Sequence, residues 1–211
     1  SYGRGYAIFD TSGTYYETYR LPEGAWSAGS TPLLPFEEGY IYPLERVDSR
    51  EEGLKRSADH TTMAYLNHEF DLVKAFGTFP ELYHGFAHVS TERSADLVHG
   101  RRLLVGYDLT PDVQAYDVGS GKYDLIKTLD LQHPAFKHPE EEITMELAGN
   151  RDDLYARMAR ISRVHRTYGF ENGAVVQSFH NRTADYYGRQ RDKSEQEHFA
   201  IIGGIDTDKQ E

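Results

Sequence analysis

Cysteine is absent from the 211 residues. That removes disulfides, thiolate metal sites and cysteine nucleophiles together, although it leaves the cellular compartment open. Long apolar runs are missing as well, since nowhere do roughly 18 apolar residues follow one another, the length that reads as a membrane-spanning helix. Positive charge is scarce: 23 Lys and Arg stand against 34 Asp and Glu, a net charge of −11 with the 10 histidines neutral. A phosphate-binding face needs clustered Lys and Arg, so nucleic acid is not expected as the main partner. The hydrophobic fraction is only 38%. Aromatic residues are nevertheless plentiful, with 16 Tyr, 10 Phe and one Trp, which argues against a disordered chain. The length suits one large domain or two small ones with a real core. Ser1 follows no signal-peptide pattern, as expected of a processed chain or an excerpt.

What is present is a repeat. Tyr6-Ala7-Ile8-Phe9, Met63-Ala64-Tyr65-Leu66 and Gln114-Ala115-Tyr116-Asp117 each read as a short strand, followed by a polar or Gly-containing turn and a second strand. The second strands end alike, near Leu21, Phe76 and Leu129, and the alanines lie 57 and 51 residues apart. An earlier strand precedes the second and third hairpins, at Gly39–Val47 and Arg101–Asp108. A fourth unit follows, in which Arg163–Tyr168 and Ala174–Phe179 flank Asn172-Gly173, a strong hairpin signal. Phe199–Gly204 repeats the alanine-opened strand, so this unit, 162–211, is incomplete. Units of roughly 40–55 residues with about four antiparallel strands predict an all-β chain of β-propeller blades. Blade ends fall near 21, 77 and 131. A sandwich or barrel is the rival, in which strands recur without the longer period.

One segment breaks the pattern. Asn150 can cap a helix whose first turn carries Asp152 and Asp153, favourable at the positive end of the dipole. Leu154, Met158 and Ile161 share a face, which predicts one short helix near 151–161. Stretches 132–142 and 48–60 read as exposed loops. Arg151, Arg157, Arg160, Arg163 and Arg166 form a positive cluster, suited either to an acidic partner or to neutralising Glu140–Glu142 nearby.

The Phe9-Asp10-Thr11-Ser12-Gly13 and Tyr116-Asp117-Val118-Gly119-Ser120-Gly121-Lys122 turns resemble those of six-bladed β-propellers of the NHL-like and TolB-like kind, as does the phrase Phe76-Gly77-Thr78-Phe79-Pro80. The nearest resemblance is to TolB-like envelope lipoproteins of Bacteroidota-type bacteria, and it covers most of 5–131 and, more weakly, 162–206. It implies a periplasmic, outer-membrane-anchored or extracellular place in a bacterium. It rests on turn chemistry, and a shared fold does not carry function. Four periods fall about two blades short of six, so the chain is expected to be part of a longer one, the alternative being a four-bladed ring. An intact mass of the natural protein well above 24.1 kDa would agree with the former.

Chemical motifs are sparse. No His-Glu-x-x-His or Gly-x-Ser-x-Gly occurs. His84 and His88 have helical spacing beside Gly85, and read as loop histidines. Asp206-Thr207-Asp208 lacks the rest of a calcium loop. Phosphate loops are absent, Asn181-Arg182-Thr183 fits a glycosylation sequon, and tyrosine-rich strands suit a sugar- or peptide-stacking face as well as packing. The leading expectation is a non-catalytic binding or scaffold propeller with no cofactor. It would meet a protein, small-molecule or glycan ligand through residues beside its inner strands: Tyr42, Arg46, His84, Arg101 and Tyr107. A second reading is a lactonase-like hydrolase with a divalent ion, such as Ca2+, on the axis; Glu45, Asp108 and Asn181 lie near strand ends and could supply oxygens. A third is a subunit of a larger assembly.

Overall fold

The computed structural model describes residues 5–9, 11–20, 25–27, 33–46, 61–85, 92–139, 150–181 and 197–204. They are mostly β, in antiparallel sheets, with one short α-helix. The first sheet is the hairpin of β1 (Gly5–Phe9) and β2 (Tyr15–Arg20). The second contains β3 (Ala25–Ser27), β4 (Leu34–Phe36), β5 (Gly39–Arg46), β6 (Thr61–Asn67) and β7 (Leu72–Thr78). Both short strands pair with β5, β4 along Gly39–Ile41 and β3 along Leu44–Arg46, so together they fill one position in the sheet. The third is a four-stranded meander of β8 (Arg93–Val98), β9 (Arg102–Tyr107), β10 (Thr110–Asp117) and β11 (Asp124–Asp130). The fourth contains β12 (Ser162–Gly169), β13 (Ala174–Asn181) and β14 (Glu197–Gly204).

The repeat read from the sequence has a physical counterpart in the register. Ala64 pairs with Ala75, and Ala115 with Lys127. In all three repeats the pairing slips by a residue at or just after the alanine: between Ile8 and Phe9, Tyr65 and Leu66, and Ala115 and Tyr116. An extra residue at such a point increases local twist, which two stacked sheets must share. Ala64 and Ala115 are both buried, Ala64 among residues of its own sheet and Ala115 in the cluster shared with the fourth sheet.

The third sheet is covered on both faces. On β9, Leu103, Val105 and Tyr107 join a cluster with Phe36, Ile41, Met63 and Phe76 of the second sheet. Leu104 points the other way, into a cluster with Val164, Val175 and Phe179 of the fourth. Period-2 alternation therefore feeds two cores, and Leu103–Tyr107 is apolar throughout except at Gly106. A third cluster, of Tyr42, Ala64, Leu66 and Phe70, occupies the opposite face of the second sheet. β8 and β12 lie side by side in the same sense. Ser94 Oγ donates to Thr167 Oγ1 (3.0 Å), and Gly169 N donates to Asp96 Oδ2 (2.8 Å).

The helix α1 (Arg151–Met158) starts as expected. The Asn150 carbonyl accepts from Leu154 N (2.9 Å), and Asn150 Oδ1 lies 3.4 Å from Asp153 N. It stops at Met158 rather than 161, because Arg160 N turns back to the Arg157 carbonyl (2.9 Å). Ile161 therefore reaches the core from a turn, beside Met158. The expected exposed loop at 132–142 is also corrected in part. Phe136 is buried against Phe179, ring centroids 5.1 Å apart, because His133 closes a turn with both its carbonyl and Nδ1, which accept from Phe136 N and Ala135 N. Residues 48–60 and 140–149 lie outside the described residues.

Gly106 marks the tightest approach between the third and fourth sheets. A Cβ there would sit 2.0 Å from Thr167 Oγ1 and 2.9 Å from Gln177 Nε2. Gly106→Ala is expected to destabilise the protein by about 1–3 kcal/mol through overpacking. Chemical denaturation would show this as a lowered midpoint, and an unchanged midpoint would contradict the close approach.

Candidate functional site

The two ends of β9 carry different chemistry. At the Asp108 end, burial dominates. Asp108 is 1% exposed, yet its carboxylate is fully engaged. Arg163 Nη2 of β12 donates to Oδ2 at 2.5 Å, and the Tyr83 hydroxyl donates to Oδ1 at 2.8 Å. Tyr83 belongs to a 3-10 turn, Glu81–Gly85, which follows β7. Its oxygen also accepts from Leu109 N (2.7 Å), while Val164 N donates to the Asp108 carbonyl (2.7 Å). Burial pushes the Asp108 carboxyl up to about 6, against the opposing pull of the Arg163 guanidinium and the Tyr83 hydroxyl. Burial, reinforced by the Asp108 charge, likewise raises the Tyr83 phenol.

A second buried network lies beside the first. The Tyr107 and Tyr116 hydroxyls both donate to Gln114 Oε1, at 2.7 and 2.5 Å. The Tyr107 oxygen is also 3.1 Å from Thr62 Oγ1. Burial pushes Tyr107 up to about 12. Arg93, at the start of β8, is buried with its guanidinium 5.1 Å from the Phe79 ring centroid. Such a placement gains from the ring's negative face.

At the Arg101 end the surface opens into a cleft of about 290 Å³ between the third and fourth sheets. Val98 and Ile126 give it an apolar wall, Arg101 and Arg102 cations, and Asp117 and Glu171 carboxylates. Two hairpin turns build it. His99 and Gly100 both have left-handed backbones (φ 54° and 62°), the conformation that a two-residue type I′ turn requires. His99 Nε2 lies 2.9 Å from the Glu171 carbonyl; a carbonyl only accepts, so that nitrogen carries the proton. This bond ties the β8–β9 turn to the β12–β13 turn. The Arg101 carbonyl accepts from Val118 N (2.9 Å) and Gly119 N (3.0 Å), fixing the residue against the β10–β11 turn. The four charged side chains of the cleft form no ion pair with one another within 4.0 Å.

Of the five residues expected to bind, Arg101 lines the cleft. Tyr42 and Tyr107 are 2% and 1% exposed, so their rings serve the core and do not meet a ligand at the surface. His84 is half-buried next to Tyr83, its Nε2 enclosed with no hydrogen-bond partner. Arg46 ends β5, and its side chain, like that of Glu45, lies outside the described residues. Asn181 is buried; its Nδ2 donates to the Ala135 carbonyl (3.0 Å), and its Oδ1 accepts from Ser162 Oγ. Its amide nitrogen is therefore not presented for glycosylation. Arg163 leaves the expected arginine cluster to meet Asp108, a pairing across 55 residues that no local spacing announces. His99, Arg102, Asp117 and Glu171 escaped the sequence reading, although His99-Gly100 between two apolar runs is itself a hairpin signal.

In comparisons with family models, curated proteins and solved structures, nothing matches this chain.

The buried pair yields a signed prediction. Because the folded carboxyl titrates above its ordinary value of 3.8, near 6, its contribution to stability is greatest at acid pH and falls as pH rises through that window. Removing the guanidinium raises the carboxyl further, so above pH 6 the buried group must either hold its proton against the solvent or carry an unpaired charge. Arg163→Met should therefore cost about 3–5 kcal/mol at pH 8 and clearly less at pH 5. Urea titrations at both pH values measure this; an equal deficit at each would contradict the pairing.

Proposed function

We propose that this chain forms β-propeller blades and acts as a non-catalytic binding module, with its ligand held in the cleft at the Arg101 end. The observation that carries the binding reading is that cleft, lined by two cations and two carboxylates without a bond between them. Side chains of both signs left unpaired around a cavity near the lower limit of small-molecule sites are suited to an incoming ligand. Support for the propeller comes from successive antiparallel sheets packed face to face, the third a four-stranded meander and the fourth with three described strands, and from β8 and β12, adjacent and running in the same sense. A place at a bacterial envelope rests on the resemblance of the turns alone. Among the described residues, no helix is long and apolar enough to cross a membrane.

The hydrolase reading has less support. Asp108, one of its three expected oxygen donors, faces Arg163, and a guanidinium at 2.5 Å competes with a metal ion for the same oxygens. The Glu45 side chain lies outside the described residues. The assembly reading has one observation in its favour: Tyr168 and Phe170, 43% and 50% exposed, stand near the β12–β13 turn, and Leu125 and Ile126 lie exposed on the outer strand β11. Exposed apolar groups of this kind accompany protein contacts when they merge into a patch.

A thermal-shift screen of small metabolites, with mass spectrometry of the recovered ligands, separates the readings. The binding reading expects a ligand at a hundred times its Kd to raise Tm by about 5–10 °C. The shift should vanish in the Arg101→Ala, Arg102→Ala double variant, and the ligand should be recovered unchanged. A ligand recovered as a reaction product would overturn the non-catalytic reading, and a shift that survives the double variant would move the site elsewhere.

A further inference from the structure

We infer that the cleft takes a small zwitterion with an apolar side chain, a free α-amino acid or dipeptide. This deepens the binding reading above and rests on it. Arg101 and Arg102 present guanidiniums, which bind a carboxylate through paired N–H donors. Asp117 and Glu171 present acceptors suited to an ammonium group. Asp117 Oδ1 already accepts from Ser120 N (3.2 Å), which leaves Oδ2 for a ligand. The turn that carries Glu171 is held in place by the bond between His99 Nε2 and the Glu171 carbonyl. Val98 and Ile126 complete the cleft, and Ile126 is 53% exposed, with apolar area still to bury.

Net charge distinguishes a zwitterion from a plain anion. The protein carries −11, and such a field repels anions and raises the local concentration of cations. A simple carboxylate would meet that field, and Asp117 and Glu171 besides. A simple cation would meet two guanidiniums at close range. A neutral molecule with separated charges encounters neither repulsion and satisfies both walls. The cleft's 290 Å³ limits the ligand to one or two residues.

Calorimetric titration of the whole chain with leucine, leucinamide and N-acetylleucine tests this directly. Leucine should bind saturably, one per chain. Leucinamide, which lacks the carboxylate, and N-acetylleucine, which lacks the ammonium, should each bind at least about tenfold more weakly, as loss of a charged hydrogen bond implies. Arg101→Gln should weaken leucine and N-acetylleucine while sparing leucinamide. Glu171→Gln should weaken leucine and leucinamide while sparing N-acetylleucine. Both positions are exposed, and an unchanged circular dichroism spectrum would certify each fold. Equal affinity for leucine and N-acetylleucine would overturn the inference in favour of a simple anion site. No saturable binding of leucine or of leucyl-glycine would also overturn it, while leaving the broader binding reading to the metabolite screen. Leucine-independent ligands found in that screen would support only the latter.

Discussion

The contact on which the described architecture most depends is the buried carboxylate of Asp108. Tyr83 reaches it from the turn after the second sheet, Asp108 itself directly follows the second strand of the third sheet, and Arg163 comes from the first strand of the fourth. Three layers thus meet at one polar point. A hydrophobic interface is non-directional and allows layers to slide, whereas a carboxylate held between a guanidinium and a phenol fixes their offset. The cost of burying the charge is visible in the carboxyl's shift to about 6. Buried ion pairs are weak evidence for stability but have a known use in specifying register, and the position of this one at the junction of three sheets fits that use.

Around that point, packing follows from alternation. The third sheet has apolar residues on both faces, so its strand β9 reads as nearly continuous hydrophobic sequence. Where the third and fourth sheets approach most closely, the chain offers Gly106; elsewhere it offers aromatic rings. Phe36, Tyr65, Phe76 and Tyr123 contact one another at centroid distances of 4.9–6.4 Å. This helps a chain with only 38% hydrophobic residues to fill its cores: Tyr83, Tyr107 and Tyr116 each supply a large buried ring, and their hydroxyls donate to Asp108 or Gln114.

The two ends of β9 divide the labour. The Asp108 end is sealed, and there Asp108, Tyr83 and Arg163 bond to one another, which suits holding the layers. The Arg101 end is open, built from hairpin turns, and its charges are left without ion pairs. Binding residues are disproportionately found on loops held by a rigid scaffold, and here the scaffold is the polar junction at the far end of the same strand. In the proposed reading, the layers exist to hold two turns at a fixed separation.

By itself, the sequence determined the kind of chain this is. Alternation, the recurring alanine, the Asn172-Gly173 turn and the Asn150 cap are local signals, and they place strands, hairpins and the start of the helix because each depends on neighbours a few residues away. Tyr42 and Tyr107 show where local reading stops: a tyrosine on a strand has the same signature whether its ring faces a ligand or another sheet. Only the tertiary structure decided that both are core, that Arg163 belongs to Asp108, and that Arg101 shares a cleft with Glu171, seventy residues away. These relations join residues from different sheets, and the offset between sheets is set by the summed packing of whole faces, which no spacing along the chain encodes.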